Sequence, residues 1–233
     1  MTCRANWPWD LSAPVRTNCA YDGVVMNVCA NASRCPGVCV VPKGGSTAFK
    51  WYMAWELGHH GEGMRFEHDC PGRVHCSRFP WPAWPAPERV VRIVRHPAVR
   101  LLSGYLDQKH LTQLSPGLSF LQNASFETVA LAIVALPDNG VNSHLRRQSA
   151  MCAAPPSAPM RVLRLEEYAT WRPWLLAELG WSENALPLVP KEAQTTAERM
   201  SEFYTPSLLT RVQLWAATDM GRFGYAPYPL GPR

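Results

Sequence analysis

Two short stretches of this 233-residue chain hold residues whose types and spacing could bind an anion. The first is Pro42-Lys43-Gly44-Gly45-Ser46-Thr47. Glycines let a backbone come close to a ligand, and the first N–H groups of a helix point outward with the positive end of its dipole. Lys43 adds a full positive charge. The second stretch is Arg95-His96-Pro97, with Ser103 further along the same segment. Two anion loops in one chain are a stronger signal than either alone.

Both stretches need elements that hold them in place. The apolar, β-branched run over 38–41 predicts a buried strand, which stops at Pro42 and the glycines before Ser46 and Thr47 open a helix running to Leu57. The run over 89–94 predicts another buried strand. Arg95 then stands at its carboxyl end, Pro97 suits the first turn of a new helix, and Ser103 lies about two turns into it. Further on, Ser125 caps an apolar helix over 125–136, and 160–165 is a strand ending in Glu166-Glu167. A helix over 168–179 is ended by Gly180, and Thr205-Pro206 opens a last helix that runs to Asp219. Strands alternating with helices predict an α/β protein with a central parallel sheet and ligands at the carboxyl ends of its strands.

Length and a 47% hydrophobic content allow one sizeable core, so residues 37–233 are expected as a single domain. Residues 1–36, rich in Cys, Asn and Pro, are read as a loop-like extension tied by disulfides and packed on that domain. The chain has eight cysteines. No C-x-x-C pair is present, so disulfides in an oxidising compartment are favoured over zinc, with the pairing left open. The sequons at Asn31 and Asn123 agree with secretion and glycosylation. The net charge of +5 suits a groove for an anionic cofactor and acceptor, and no basic run with interleaved aromatics marks a nucleic-acid track. No run is long enough for a transmembrane helix. Membrane association is therefore expected only through an anchor outside the given sequence.

The first stretch does not fit the nucleotide-hydrolase pattern G-x-x-x-x-G-K-[ST], because Lys43 precedes the glycines. It resembles the Pro-Lys-x-x-Ser/Thr-Thr/Ser loop by which sulfotransferases hold the 5′-phosphosulfate of 3′-phosphoadenosine 5′-phosphosulfate (PAPS). The stretch Arg95-His96-Pro97-Ala98-Val99-Arg100-Leu101-Leu102-Ser103-Gly104-Tyr105 resembles the family's 3′-phosphate motif. Arg95 and Ser103 match its two phosphate contacts, and His96 stands where the family more often has aspartate. Asn142-Ser143-His144 with Gln148 and Cys152 resembles the Asn-x-His-Trp-x-Pro segment of Golgi carbohydrate sulfotransferases, with Leu145 and Arg147 in place of tryptophan and proline. The closing stretch from Tyr204 to Tyr225 is similar to that family's last helix. The resemblance covers about 38–225 and is nearest to the chondroitin/dermatan 4-O- and uronyl 2-O-sulfotransferases. It implies a P-loop-NTPase-like three-layer fold, residence in the Golgi lumen and a carbohydrate acceptor, anionic glycans included.

On that resemblance Lys43 neutralises the bridging oxygen as the sulfuryl group leaves, and the N–H groups of Gly44, Gly45, Ser46 and Thr47 hold the 5′-phosphate. Arg95 and Ser103 bind the 3′-phosphate, PAP is the product, and no metal is expected. A general base must take the acceptor's proton, and His75, at the end of the short strand over 73–76, is the choice, with Glu67, His68 and Asp69 as alternates. His144 is an acceptor-site candidate. His59 and His60 lie in a glycine-rich turn and are read as a solvated loop, the Pro/Trp-rich 79–87 as a connector, and 107–121 as an acceptor loop. Other readings are transfer to a protein tyrosine or small alcohol, a non-catalytic PAP- or glycan-binding module, and an ATP-dependent phosphotransferase.

Overall fold

The computed structural model describes residues 24–27, 37–41, 43–44, 90–107, 121, 123–138, 141–151, 159–179 and 196–230. The expected helix over 46–57, the short strand over 73–76 and the connector over 79–87 lie outside them.

Strand β1 is Val24–Asn27, β2 Gly37–Val40, β3 Val90–Val94 and β4 Met160–Arg164. They form one sheet in the order β1-β2-β3-β4. All five residues of β3 are buried, as befits a parallel strand covered on both faces. β2 runs parallel to it with Val40 opposite Ile93, and β4 runs parallel on its other side with Val94 opposite Arg164. The architecture is thus mixed α/β around a three-stranded parallel sheet, as the alternation of patterns predicts. β1 pairs antiparallel with β2, Val24 opposite Val40, so part of the stretch read as a loop-like extension is a sheet strand. Four residues are too few for a periodic signal, and it is pairing to β2 that makes them a strand.

Helix α1 is Pro97–Leu106, α2 Phe126–Val134, α3 Tyr168–Leu179, α4 Met200–Phe203, α5 Pro206–Trp215 and α6 Ala217–Phe223. Their starts are set by local chemistry. Ser125 Oγ accepts from the Thr128 N–H at 3.2 Å, and Thr205 Oγ1 from the Leu208 N–H at 3.1 Å with Pro206 following. The closing helix expected to run unbroken to Asp219 is two helices parted at Ala216. Among the described residues no helix is long and apolar enough to cross a membrane.

The apolar core sits between α1, α2 and α5, with Leu101, Leu102, Val129, Ile133, Leu208 and Val212 buried together. Tyr204 completes it, fully buried, its hydroxyl donating to the Ala98 carbonyl at 2.9 Å and its ring 4.8 Å from that of Phe126. Burial raises the Tyr204 pKa, so the hydroxyl stays a donor. The sheet joins the helices by polar contacts. Arg92, buried in the middle of β3, donates to the Met151 carbonyl at 2.6 Å and lies 5.6 Å from the centre of the Phe223 ring. Trp171 Nε1 donates to the Arg164 carbonyl at 2.6 Å and docks α3 against β4.

One close approach fixes where the segment after α2 can lie. At Gly104 of α1, an added Cβ would stand 2.6 Å from Leu145 Cδ2 and 2.9 Å from the His144 carbonyl oxygen. Glycine inside a helix costs up to about 1 kcal/mol relative to alanine, whereas overpacking a buried contact costs roughly 1–3 kcal/mol. The second effect wins here, because one of the clashing atoms belongs to the backbone. Gly104→Ala is therefore expected to lower stability despite its better helix propensity, by about 1–2 kcal/mol net in urea unfolding; an unchanged or raised midpoint would show that residues 144–145 can retreat from α1 freely.

Candidate functional site

Because β2, β3 and β4 are parallel and in register, the segments leaving their carboxyl ends start side by side: Lys43-Gly44 after β2, Arg95-His96 after β3, and Leu165 to Glu167 after β4. That is the edge at which open α/β sheets bind ligands. Of the site residues expected from sequence, Lys43, Gly44, Arg95, Ser103 and His144 are described, and Gly45, Ser46, Thr47 and His75 lie outside the described residues.

After β2 the chain turns at once. The Gly44 N–H donates to the Val41 carbonyl at 3.0 Å, and Lys43 has φ of 63°, in the left-handed region that disfavours any side chain. The lack of a side chain at Gly44 has a packing cause, since an added Cβ would stand 2.7 Å from Val41 Cγ2 and 3.4 Å from the Ile93 carbonyl oxygen. Glycine here lets the turn fold back over the ends of its own strand and of β3. Lys43 Nζ forms an ion pair with Asp107, the residue that ends α1. Asp107 lies four residues beyond Ser103, which is half-buried on α1.

Arg95 is held by its backbone. Its N–H donates to Gln148 Oε1 at 3.0 Å and its carbonyl accepts from Gln148 Nε2 at 2.8 Å. The side chain is 5% exposed, and burial lowers its pKa against the opposing pull of the Glu166 carboxylate and of Tyr225 and Tyr228. Glu166 is in turn fixed, accepting from the His96 N–H at 2.7 Å and from the Tyr225 hydroxyl at 3.0 Å. Burial and the Glu166 charge both raise the Tyr225 pKa, so its hydroxyl remains a donor.

His96 takes over the capping work of an aspartate. Its Nδ1 accepts from the Ala98 N–H at 3.3 Å and its Nε2 faces the Ala226 carbonyl at 3.2 Å. A carbonyl can only accept, so Nε2 carries the proton and the ring is neutral. The ring also meets those of Tyr225 and Tyr228 edge-on, at 5.2 and 5.1 Å. Arg100 acts structurally. Buried in α1, it donates to the Arg146 carbonyl at 2.6 Å and the Ser143 carbonyl at 2.5 Å, and so pins the 141–147 segment to the helix.

In that segment Asn142 Oδ1 accepts from the His144 backbone N–H at 2.9 Å and lies 2.7 Å from His144 Nδ1. The backbone contact fixes which end of the amide faces the histidine, so Nδ1 must be the ring donor and Nε2 the basic nitrogen of the neutral form. The sequence motif contains both Asn142 and His144 but does not tell that the first orients the second. Asn two residues before His is the available signal. Asp107, expected from sequence only as the start of a loop, is a second omission; its spacing of four from Ser103 is what could place it beside the loop after β2.

Burial lowers the His96 pKa from its ordinary 6.5, with the Ala226 carbonyl and Glu166 opposing. The unfolded chain therefore takes up a proton first as pH falls below 6.5, and stability is lost between that value and the depressed one. Wild-type protein should accordingly lose more stability between pH 7.5 and 5.5 than His96→Asn, which keeps a capping side chain but does not titrate. Urea midpoints at the two pH values read the difference, and equal losses would exclude His96 as the titrating group. Comparisons of the chain with protein-family models, with curated proteins and with solved structures give no match.

Proposed function

We propose that the chain is a PAPS-dependent carbohydrate sulfotransferase built on a P-loop-like three-layer α/β fold and working in the Golgi lumen. The observation that carries this reading is the parallel pairing of β2 with β3, which starts the Lys43-Gly44 turn and the Arg95 segment from one edge of the sheet. Two cations from separate loops at one edge suit a ligand with phosphates at both ends of a nucleoside. Ser103 is half-buried on the helix that begins just after Arg95 and is the hydroxyl that the resemblance pairs with it. Cys39 of β2 is disulfide-bonded, in keeping with an oxidising compartment.

PAPS when bound would supply the sulfuryl group, its sulfur–oxygen bond to the 5′-phosphate breaking as one forms to an acceptor hydroxyl, with PAP, a sulfate ester and a proton as products. Lys43 would offset the charge left on the phosphate oxygen, and Arg95 with Ser103 would hold the 3′-phosphate. The proton needs a base. His75 is the sequence candidate for it, and His144, whose Nδ1 lies 2.7 Å from Asn142 Oδ1, is the acceptor-site candidate.

Calorimetric titration with PAP, without divalent metal, tests the cofactor directly. Binding that Arg95→Ala abolishes supports the reading; no PAP binding alongside Mg²⁺-dependent ATP binding overturns it in favour of a phosphotransferase. Lys43→Ala is expected to lower sulfuryl transfer to a glycan acceptor by about 10²–10³-fold while leaving the unfolding midpoint unchanged.

A further inference from the structure

Lys43 and Asp107 each sit in a locally unfavourable place. Lys43 holds a left-handed backbone conformation, and Asp107 puts a carboxylate at the end of α1, where the helix dipole is negative. The last turn of α1 has no basic residue of its own, and Lys43 in the turn after β2 supplies a cation opposite Asp107. The pair is partly open to water, with side-chain exposures of 19% for Lys43 and 32% for Asp107. Pairs of this kind are weak and exchangeable. A phosphate or phosphosulfate with several oxygens and more than one negative charge is a better partner for an ammonium group than a single carboxylate at this exposure.

From this we infer that Asp107 is the positioning residue for Lys43: it holds the ammonium group at the mouth between the β2 turn and the end of α1, and an incoming nucleotide polyanion takes its place as the partner. The inference rests on the sulfotransferase reading for the identity of that polyanion. It makes Asp107 a brake on cofactor affinity, because each binding event must break the pair. It also gives product release an internal helper, because the carboxylate reclaims Lys43 as PAP leaves.

The experiment titrates the purified chain with PAP and separately with inorganic pyrophosphate, comparing wild type with Asp107→Asn, Asp107→Glu, Lys43→Ala and Lys43→Ala/Asp107→Asn. Glu127→Gln, an exposed position in the first turn of α2, serves as a control for the same change in net charge. Asp107→Asn should tighten binding of both anions about fivefold, equivalent to ~1 kcal/mol, while Asp107→Glu stays near wild type and Glu127→Gln does not tighten. The gain should vanish in the Lys43→Ala background. Binding by Asp107→Asn that is no tighter than wild type, a gain that persists without Lys43, or an equal gain in Glu127→Gln would overturn the inference. If pyrophosphate follows the expected pattern and PAP does not bind, the sulfotransferase reading fails and the role of Asp107 stands. If neither anion binds wild type or Asp107→Asn, both fail.

Discussion

The buried amide of Gln148 is the contact on which the arrangement at the sheet edge depends. Beyond Val94 the chain leaves the ladder, and Arg95 would lose its hydrogen bonds inside the protein. The Gln148 side chain meets both the N–H and the carbonyl of Arg95, as a neighbouring strand would. Its own backbone N–H donates to Asp219 Oδ2 at 2.7 Å, and the Ser149 N–H donates to the other oxygen at 2.7 Å. Gln148 and Asp219 are both almost completely buried. An unmet buried N–H or carbonyl costs about 1–3 kcal/mol, so this small network ties three separate parts of the chain together: the end of β3, the 148–150 turn and α6.

Asp219 also explains why so much positive charge can be buried near β3. Arg92 and Arg100 are both nearly inaccessible, and burial pushes each pKa down to about 10, with Asp219 opposing that fall in both cases. One carboxylate thus pulls against the effect of burial at two guanidinium groups, while the main-chain carbonyls of Met151, Ser143 and Arg146 each accept from one of their nitrogens. Buried charges of this sort survive only when their partners are fixed. The partners here are backbone atoms of one segment, so the arginines fix the course of 141–151, and with it the position of His144 against α1.

Local signals are enough to read much of this from the sequence. Hydrophobic runs locate β2, β3 and β4 to within a residue or so, and the side chains of Ser125 and Thr205 mark helix starts because capping is a matter of three or four neighbouring residues. What escapes depends on residues far apart in sequence. β1 is a strand because β2 lies beside it. The break at Ala216 falls where α6 must turn to bring Asp219 under the 148–150 segment. Arg92 stands in plain view as a charge in the middle of a valine-rich strand, and such a residue has to find buried acceptors; which ones, 59 residues away, no local pattern tells. At the candidate site the cations are legible from sequence and their internal carboxylates are not, since Asp107 and Glu166 acquire that role only through the parallel sheet.

Those carboxylates divide the edge into a rigid arm and an adjustable one. Glu166, beside Arg95, is itself exposed but has both oxygens engaged, one by the His96 N–H and one by the Tyr225 hydroxyl, so turning away would break two hydrogen bonds at once. Arg95 is further held by its backbone and by burial. Asp107, beside Lys43, terminates a helix and stands partly in water, where an ion pair contributes little. An anion arriving at Arg95 would meet a charge whose surroundings are already arranged, whereas at Lys43 it would replace one partner with another. If the proposed sulfuryl transfer holds, a site of this form would separate two demands of that reaction. One cation would give register by not moving, and the other would follow charge as it shifts, because its resting partner is close and of the same chain.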